Sequence, residues 1–229
     1  MPIKLSSHTS FGSTIHNTLN IFYKRIHSLS HSKGLFSEYD EDISLDALLS
    51  IYKESWIFVG YDSKTDEDRE RKEGEKMLIK FYELHKDNFG DPLFLEKSFK
   101  LHIGDSIISG RIDRIDQIIY SENKKTIEII DYKTGKIRGQ KEVDDDLQLS
   151  IYAMACENCL HLNVEKLSFY FVGDNKKIET KRSKEDIEKA KEEIIGIMKK
   201  IRDKEFIADP SKQKCKCCSY KNICTWADI

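Results

Sequence analysis

The sequence of 229 residues has no run of 18 or more apolar residues, and its start, MPIKLSSHTS, lacks the apolar core of a secretory signal. We therefore expect a cytoplasmic protein with no membrane partner. No internal repeat, low-complexity linker or break in composition divides the chain, which predicts a single domain over residues 1–229. The formal net charge is only -2, so any phosphate binding must come from a local basic surface.

Cysteine is absent before Cys156, and the six cysteines lie close together in the last third of the chain. In a chain of this size without a secretory signal, such spacing indicates metal binding or inert thiols rather than a disulfide framework. Charged residues make up 34% and apolar residues 39% of the chain, a balance that is typical of a folded, well-solvated protein.

The first part of the chain, residues 1–90, has the apolar spacing of helices. A first helix is predicted from Gly12 to about Leu29, with Ser13 or Thr14 as its cap. A second helix, capped by Ser44, and a third over residues 65–88 follow. The early half of the third is so highly charged that we expect it to project into solvent.

Residues 91–180 predict a sheet core, residues 181–209 a helix that begins with a capping box, and residues 210–229 a cysteine-rich tail. Three strands, predicted over 93–103, 106–120 and 126–133, form a meander. A helix over 147–162 follows a polar loop, and two further strands, over 166–173 and 176–181, form a hairpin. This order predicts an α/β fold with a mixed sheet flanked by helices, in which residues 126–171 can form a right-handed crossover.

One strand, IEIIDYK, ends in charged residues on its core-facing side. Asp131 and Lys133 share a face with Ile127 and Ile129, because side chains alternate along a strand. If the preceding turn is centred near residues 122–123, antiparallel pairing places Asp113 opposite residues 131–133. Two carboxylates and an amine then converge, and this oxygen-rich set suits Mg²⁺ or Mn²⁺ and a bound water. An ordinary ion pair of Asp113 with Arg114 or Lys133 is the competing interpretation.

Five motifs favour the catalytic interpretation. They are GSTIH at 12–16, EKSF at 96–99, GRIDRID at 110–116, DYKTGK at 131–136 and QLSIY at 148–152. Together they resemble the PD-(D/E)XK nuclease superfamily, in particular its RecB-like branch with AddB-type members. The resemblance implies a restriction-endonuclease-like core and a Mg²⁺- or Mn²⁺-dependent deoxyribonuclease.

The resemblance also assigns roles to residues. Asp113 and Asp131 would bind the metal with His16 and a backbone carbonyl near Tyr132, and Lys133 would be the catalytic lysine. Without the resemblance, a capped or core histidine is the commoner explanation for His16. Glu96 matches an acid of the first strand whose role is less uniform, and an exposed strand acid explains it equally well.

Two further groups are candidates for substrate contact. Gln148 and Tyr152 lie one helical turn apart and match a Gln-x-x-x-Tyr motif of the branch; a helix with a polar flank is the alternative. Lys136 and Arg138 lie in a glycine-containing basic loop beside the proposed metal, where they can contact the phosphate backbone or simply be solvated.

The tail resembles the C-terminal cysteine triplet of an iron–sulfur staple in AddB-type and CRISPR-associated nucleases, which implies Cys215, Cys218 and Cys224 as ligands of a 4Fe–4S cluster. The fourth cysteine of that staple lies upstream of the histidine helix and has no counterpart here. The chain is then expected to be cut from a longer polypeptide; alternatively Cys217 or Cys156 completes the site, or the tail binds zinc or nothing. Cys156 and Cys159 are better explained as packing residues of an apolar helix.

The function expected from this resemblance is exonucleolytic hydrolysis of DNA in recombination or repair, together with a helicase. No Walker-type phosphate-binding motif occurs in the sequence, so a helicase motor would be a partner domain or subunit. The alternative is a non-catalytic DNA-binding or scaffold module with a nuclease-like fold.

Overall fold

A computed structural model describes residues 6–31, 43–121, 124–218 and 220–227. The N-terminal part contains three helices, α1 (Ser7–His31), α2 (Leu45–Glu54) and α3 (Lys64–His85). The meander β1 (Pro92–Ile103), β2 (Ser106–Ser121) and β3 (Lys124–Lys133) follows. The remaining elements are α4 (Gln140–Asp144), α5 (Leu147–Leu160), β4 (Val164–Phe171), β5 (Lys176–Thr180), α6 (Lys184–Arg202) and α7 (Lys212–Cys217).

The five strands form one mixed sheet in the order β1-β2-β3-β4-β5. All neighbours are antiparallel except β3 and β4, which are parallel and are joined through α5. The predicted mixed sheet flanked by helices and the predicted strand–helix–strand crossover are therefore confirmed.

The two faces of the sheet carry separate apolar clusters. On one face, Ile129 and Phe169 pack with residues of α5 and with Ile194 of α6. On the other face, Ile130 and Tyr170 pack with α1, α2 and α3. The alternation of side chains along β3 thus produces a three-layer molecule, and it places Asp131 in the layer between the sheet and α5. None of the described helices is both long and apolar enough to cross a membrane.

One prediction about the N-terminal helices is wrong, and a second is incomplete. The first helix begins at Ser7 rather than Gly12, because the Ser6 hydroxyl accepts a hydrogen bond from the Thr9 backbone N–H and caps it there. The early half of α3 does not simply project into solvent. Glu67 is buried and accepts a hydrogen bond from Trp56 Nε1 at 3.0 Å, which ties α3 to the end of α2.

Three smaller differences concern the second half of the chain. The loop that follows Lys133 contains α4, and the tail contains α7; both helices are too short to leave a periodic pattern. Helix α5 ends at Leu160 because His161 adopts a left-handed conformation with φ 55°.

Gly74 provides a test of the packing between α3 and α2. A Cβ atom at this position would lie 2.9 Å from Cε2 of Phe11 and would also collide with the Tyr52 hydroxyl group, which donates a hydrogen bond to the Arg71 carbonyl. We expect Gly74→Ala to lower the free energy of unfolding by about 1–3 kcal/mol, because the buried contact has no free space. Urea denaturation measures this change.

Gly196 of α6 is the matched control for this experiment. It is also a helical glycine, but a Cβ atom there would meet nothing within 4 Å. Gly196→Ala should therefore stabilise the protein by about 0.5–1 kcal/mol through the higher helix propensity of alanine. Equal effects of the two substitutions would contradict the tight α2–α3 contact.

Candidate active site

The middle of β2, at Asp113, and the charged end of β3 meet in a cleft at one end of the crossover. The β2–β3 register pairs Arg114 with Ile130, and one residue further along it sets Asp113 opposite Asp131. The loop after β3, the third turn of α1 at His16 and the first two turns of α5 complete a cleft of about 470 Å³. It is lined by His16, Asp113, Asp131, Tyr132, Lys133, Thr134, Gly135, Lys136, Arg138, Gln148, Tyr152 and Phe171.

Three possible metal ligands gather on one side of this cleft. Ligand atoms of His16, Glu96 and Asp113 all lie within 4.8 Å of one another. His16 Nδ1 is 3.2 Å from Asp113 Oδ2, and the same oxygen accepts a hydrogen bond from the Tyr132 backbone N–H at 2.9 Å. Burial lowers the pKa of His16, but its hydrogen bond to Asp113 and the surrounding carboxylates outweigh that effect and raise it overall.

Glu96 joins the site through an unusual backbone conformation. Its φ is 50°, in the left-handed region, although it lies inside β1 between residues paired with Arg114 and Ile112. For a residue with a Cβ this costs of the order of 1–2 kcal/mol. Burial, followed by the charge of Asp113, raises the pKa of Glu96. The sequence motif placed an acid here, but it gave no sign that the carboxylate would come within 4.8 Å of His16 and Asp113.

Asp131 lies in the same cleft but is not part of that tight group of three. Its side chain is only 3% exposed, and its Oδ2 lies 2.6 Å from the Lys133 ammonium. Among the described residues this oxygen accepts no hydrogen bond of acceptable geometry. Burial, and then the charge of Asp113, raises the pKa of Asp131 to about 6 against the opposing effect of Lys133.

Lys133 begins a chain of hydrogen bonds that reaches β2. Its ammonium donates to Gln148 Oε1 at 2.8 Å, and Gln148 Nε2 bonds the Tyr152 hydroxyl at 2.8 Å. That hydroxyl in turn donates to the Arg111 carbonyl at 3.0 Å. The predicted pair Gln148 and Tyr152 therefore faces the site, and it fixes the position of the lysine.

The two basic residues of the loop differ in their surroundings. Arg138 donates a hydrogen bond to Asp146 Oδ2 at 2.8 Å, so part of its charge is already compensated. Lys136 is exposed at the rim of the cleft. Both side chains are exposed, so the two predicted phosphate contacts differ in charge compensation rather than in accessibility.

Arg114, on the opposite face of β2, does not pair with Asp113. Its guanidinium forms two hydrogen bonds with Asp116, at 2.6 and 2.7 Å, and also contacts the Phe89 carbonyl and the Tyr132 hydroxyl. The Asp113–Arg114 ion pair, offered as an alternative to a metal site, is therefore wrong, because adjacent residues of a strand point to opposite faces.

The residues present fit a divalent cation. The group combines carboxylate oxygens with one imidazole nitrogen, a donor set that suits Mn²⁺ and Mg²⁺. Burying several carboxylates together is costly without a cation, and the Asp131 oxygen lacks a hydrogen bond among the described residues. Asp113, with His16 and Glu96 beside it and Asp131 on the neighbouring strand, is the group that would hold the ion.

In the part of the tail that the structure describes, the cysteines do not gather where a single ion could bind them. Among the described residues, Cys215, Cys218 and Cys224 do not form a group within 4.8 Å, and Cys224 is exposed. The side chain of Cys217 lies outside the described set. Cys156 is fully buried in the core against the sheet, as expected for a packing residue, and burial raises the pKa of its thiol to about 12.

Comparison with known proteins identifies one family. A family model described as the PD-(D/E)XK nuclease superfamily matches residues 2–225. A crystal structure of a protein named SSO0001 aligns with a TM-score of 0.36 and 17% identity, over 95% of this chain and 86% of that chain. A search of curated proteins found no match.

Proposed function

Because this chain belongs to the PD-(D/E)XK nuclease superfamily, we propose that it is a Mg²⁺- or Mn²⁺-dependent deoxyribonuclease. The observation that carries this proposal is the convergence of Asp113, Asp131 and Lys133 in one open cleft. The ion, when bound, supplies a Lewis acid that acidifies water and polarises the scissile phosphate. Asp113 and Asp131 would hold it, with His16 and Glu96 as further ligands.

Lys133 contributes a positive charge fixed in place. Its ammonium donates a hydrogen bond to Gln148 and forms an ion pair with Asp131, and the ammonium keeps a donor for water or a phosphoryl oxygen. A donor that is held before the reaction stabilises developing negative charge without reorganisation. Tyr152 keeps Gln148 oriented, so the lysine is held from two sides.

Exonucleolytic action and a role in recombination or repair with a helicase are the finer parts of this proposal. They rest on the RecB-like motifs alone. The cleft is open, and Lys136 at its rim can guide a nucleic-acid backbone toward Lys133.

The test is digestion of end-labelled DNA by the purified chain of 229 residues. Single-stranded, duplex and closed circular substrates are compared in Mg²⁺, in Mn²⁺ and in chelator. We expect metal-dependent release of short products from linear DNA and little cleavage of circles. Internal fragments or cleaved circles would indicate an endonuclease, and RNA as a further substrate tests the sugar preference. Intact DNA in both metals would favour a non-catalytic binding module.

For the cysteine-rich tail, we propose that Cys215, Cys218 and Cys224 are ligands of a 4Fe–4S cluster. Its support is local: Cys218 follows the turn that ends α7, and its sulfur accepts a hydrogen bond from the Tyr220 N–H at 3.4 Å, a contact that stabilises thiolate ligands. Anaerobically purified protein should contain iron and acid-labile sulfide and absorb visible light. Cys218→Ser should lose both, whereas Cys159→Ser should keep them. If the purified protein contains zinc and no iron, the tail is a zinc site and the iron–sulfur proposal is wrong.

A further inference from the structure

Arg182, the second residue after β5, reaches back to the turn between α4 and α5. It is half-buried. Its guanidinium donates five hydrogen bonds of 2.8–3.2 Å, to Ser150 Oγ, Thr180 Oγ1 and the carbonyls of Lys181, Val143 and Asp146. The carbonyls of Val143 and Asp146 lie at the end of α4 and the start of α5. One side chain therefore joins β5 to both helices.

Asp146 lies at the centre of this turn and has partners on three sides. Arg182 binds its carbonyl at 3.1 Å, and Arg138 binds its Oδ2 at 2.8 Å. Its Oδ1 caps α5 by accepting the backbone N–H groups of Gln148 and Leu149. The direction in which α5 begins is therefore set at Asp146.

The start of α5 decides where Gln148 lies. Gln148 is two residues after Asp146, and its Oε1 accepts the hydrogen bond from Lys133. A shift of the turn by about 1 Å would lengthen this 2.8 Å contact beyond hydrogen-bond distance. It would also move Arg138, the other partner of Asp146, at the rim of the cleft.

We infer that Arg182 is a positioning residue for DNA cleavage. It fixes the α4–α5 turn, and through Asp146 it keeps Gln148 and Arg138 in place around Lys133. This inference rests on the proposed nuclease function. A lysine cannot replace the guanidinium, because an ammonium has three donors from one point and Arg182 uses all three nitrogens of a planar fork.

The first test is steady-state cleavage by Arg182→Ala in the full chain. We expect kcat to fall about 10–100-fold, as for other residues that orient catalytic groups, with a smaller change in KM. Arg182→Lys should recover little. Guanidinium chloride at millimolar concentration should restore part of kcat to Arg182→Ala, whereas sodium chloride at equal ionic strength should not.

The second test measures how well the α4–α5 turn is held in place, and it does not depend on DNA cleavage. Lys136 and Arg138 are exposed, so trypsin can cut the segment that leads into α4. Cleavage there should be faster in Arg182→Ala than in wild type, and guanidinium should slow it. The matched control is Arg202→Ala, which removes a guanidinium whose one hydrogen bond among the described residues goes to the Ser106 hydroxyl, at 3.3 Å. It should change neither kcat nor cleavage of this segment.

These outcomes separate the inference from the proposed function. If Arg182→Ala retains wild-type kcat, or loses it without rescue and without faster tryptic cleavage, Arg182 does not position the site. If wild-type protein fails to cut DNA, the nuclease proposal is wrong. The trypsin comparison then still decides whether Arg182 holds the turn.

Discussion

Lys133→Ala is expected to lower kcat for DNA cleavage by about 10²–10³-fold while most of the affinity for DNA is retained. The lysine is 23% exposed and makes two contacts inside the cleft, so its charge acts at the reacting phosphate rather than along the DNA backbone. Single-turnover cleavage in Mn²⁺, with binding measured separately in Ca²⁺ or chelator, distinguishes the two effects. Asp113→Ala should cause a comparable loss of cleavage.

Lys136→Ala is the matched control, because it removes a lysine three residues further along the chain, at the exposed rim of the same cleft. This variant should weaken binding and reduce the slope of log K against log[salt] by about 1, with little change in the single-turnover rate. If Lys133→Ala and Asp113→Ala both cut DNA at rates within a few-fold of wild type, the assignment of this cleft as the active site is wrong.

The sequence predicted the centre of the site because hairpin geometry is local. Once the turn was placed at residues 122–123, alternation along two adjacent strands brought Asp113 toward Asp131 and Lys133. Gln148 and Tyr152 could be placed together for a similar reason, since residues four apart share a helical face. The mixed sheet followed from the order of strands and helices.

The parts that the sequence did not predict depend on contacts between distant segments. Glu96 reaches Asp113 through a left-handed residue within a strand, which no periodic pattern indicates. Arg182 binds Val143, 39 residues earlier in the chain. These contacts form because tertiary packing brings distant segments together, so no local sequence pattern predicts them.

Asp131→Asn is expected to stabilise the metal-free protein at pH 7 although it removes a metal ligand. The pKa of Asp131 is raised in the folded state from 3.8 to about 6. A raised folded pKa means that the protonated form is favoured by folding, so this stabilisation is complete below about pH 4 and is lost as the pH rises through about 6. At pH 7 the buried carboxylate then destabilises the fold by about 3 kcal/mol at most.

The comparison of wild type and Asp131→Asn should therefore depend on pH in a defined direction. In chelator, the two proteins should have similar Tm values near pH 4, and the variant should unfold about 4–10 °C higher at pH 7. The neutral amide keeps the shape of the carboxylate and loses its repulsion with Asp113. A variant that is less stable than wild type at both pH values would show that the ion pair with Lys133 stabilises the fold by more than the burial of the Asp131 charge destabilises it.

Adding Mn²⁺ at pH 7 should reverse this order of stabilities. A cation that binds only the folded state raises Tm according to its concentration and affinity, and wild type offers it the ionised Asp131 that the variant lacks. Mn²⁺ should thus raise the Tm of wild type and leave that of Asp131→Asn nearly unchanged. Without a cation, the burial of Asp131 beside Asp113 destabilises the fold, and a bound cation would explain why the acid is buried there. An equal rise in the Tm of both proteins would show that the ion binds elsewhere, and this explanation would then be wrong.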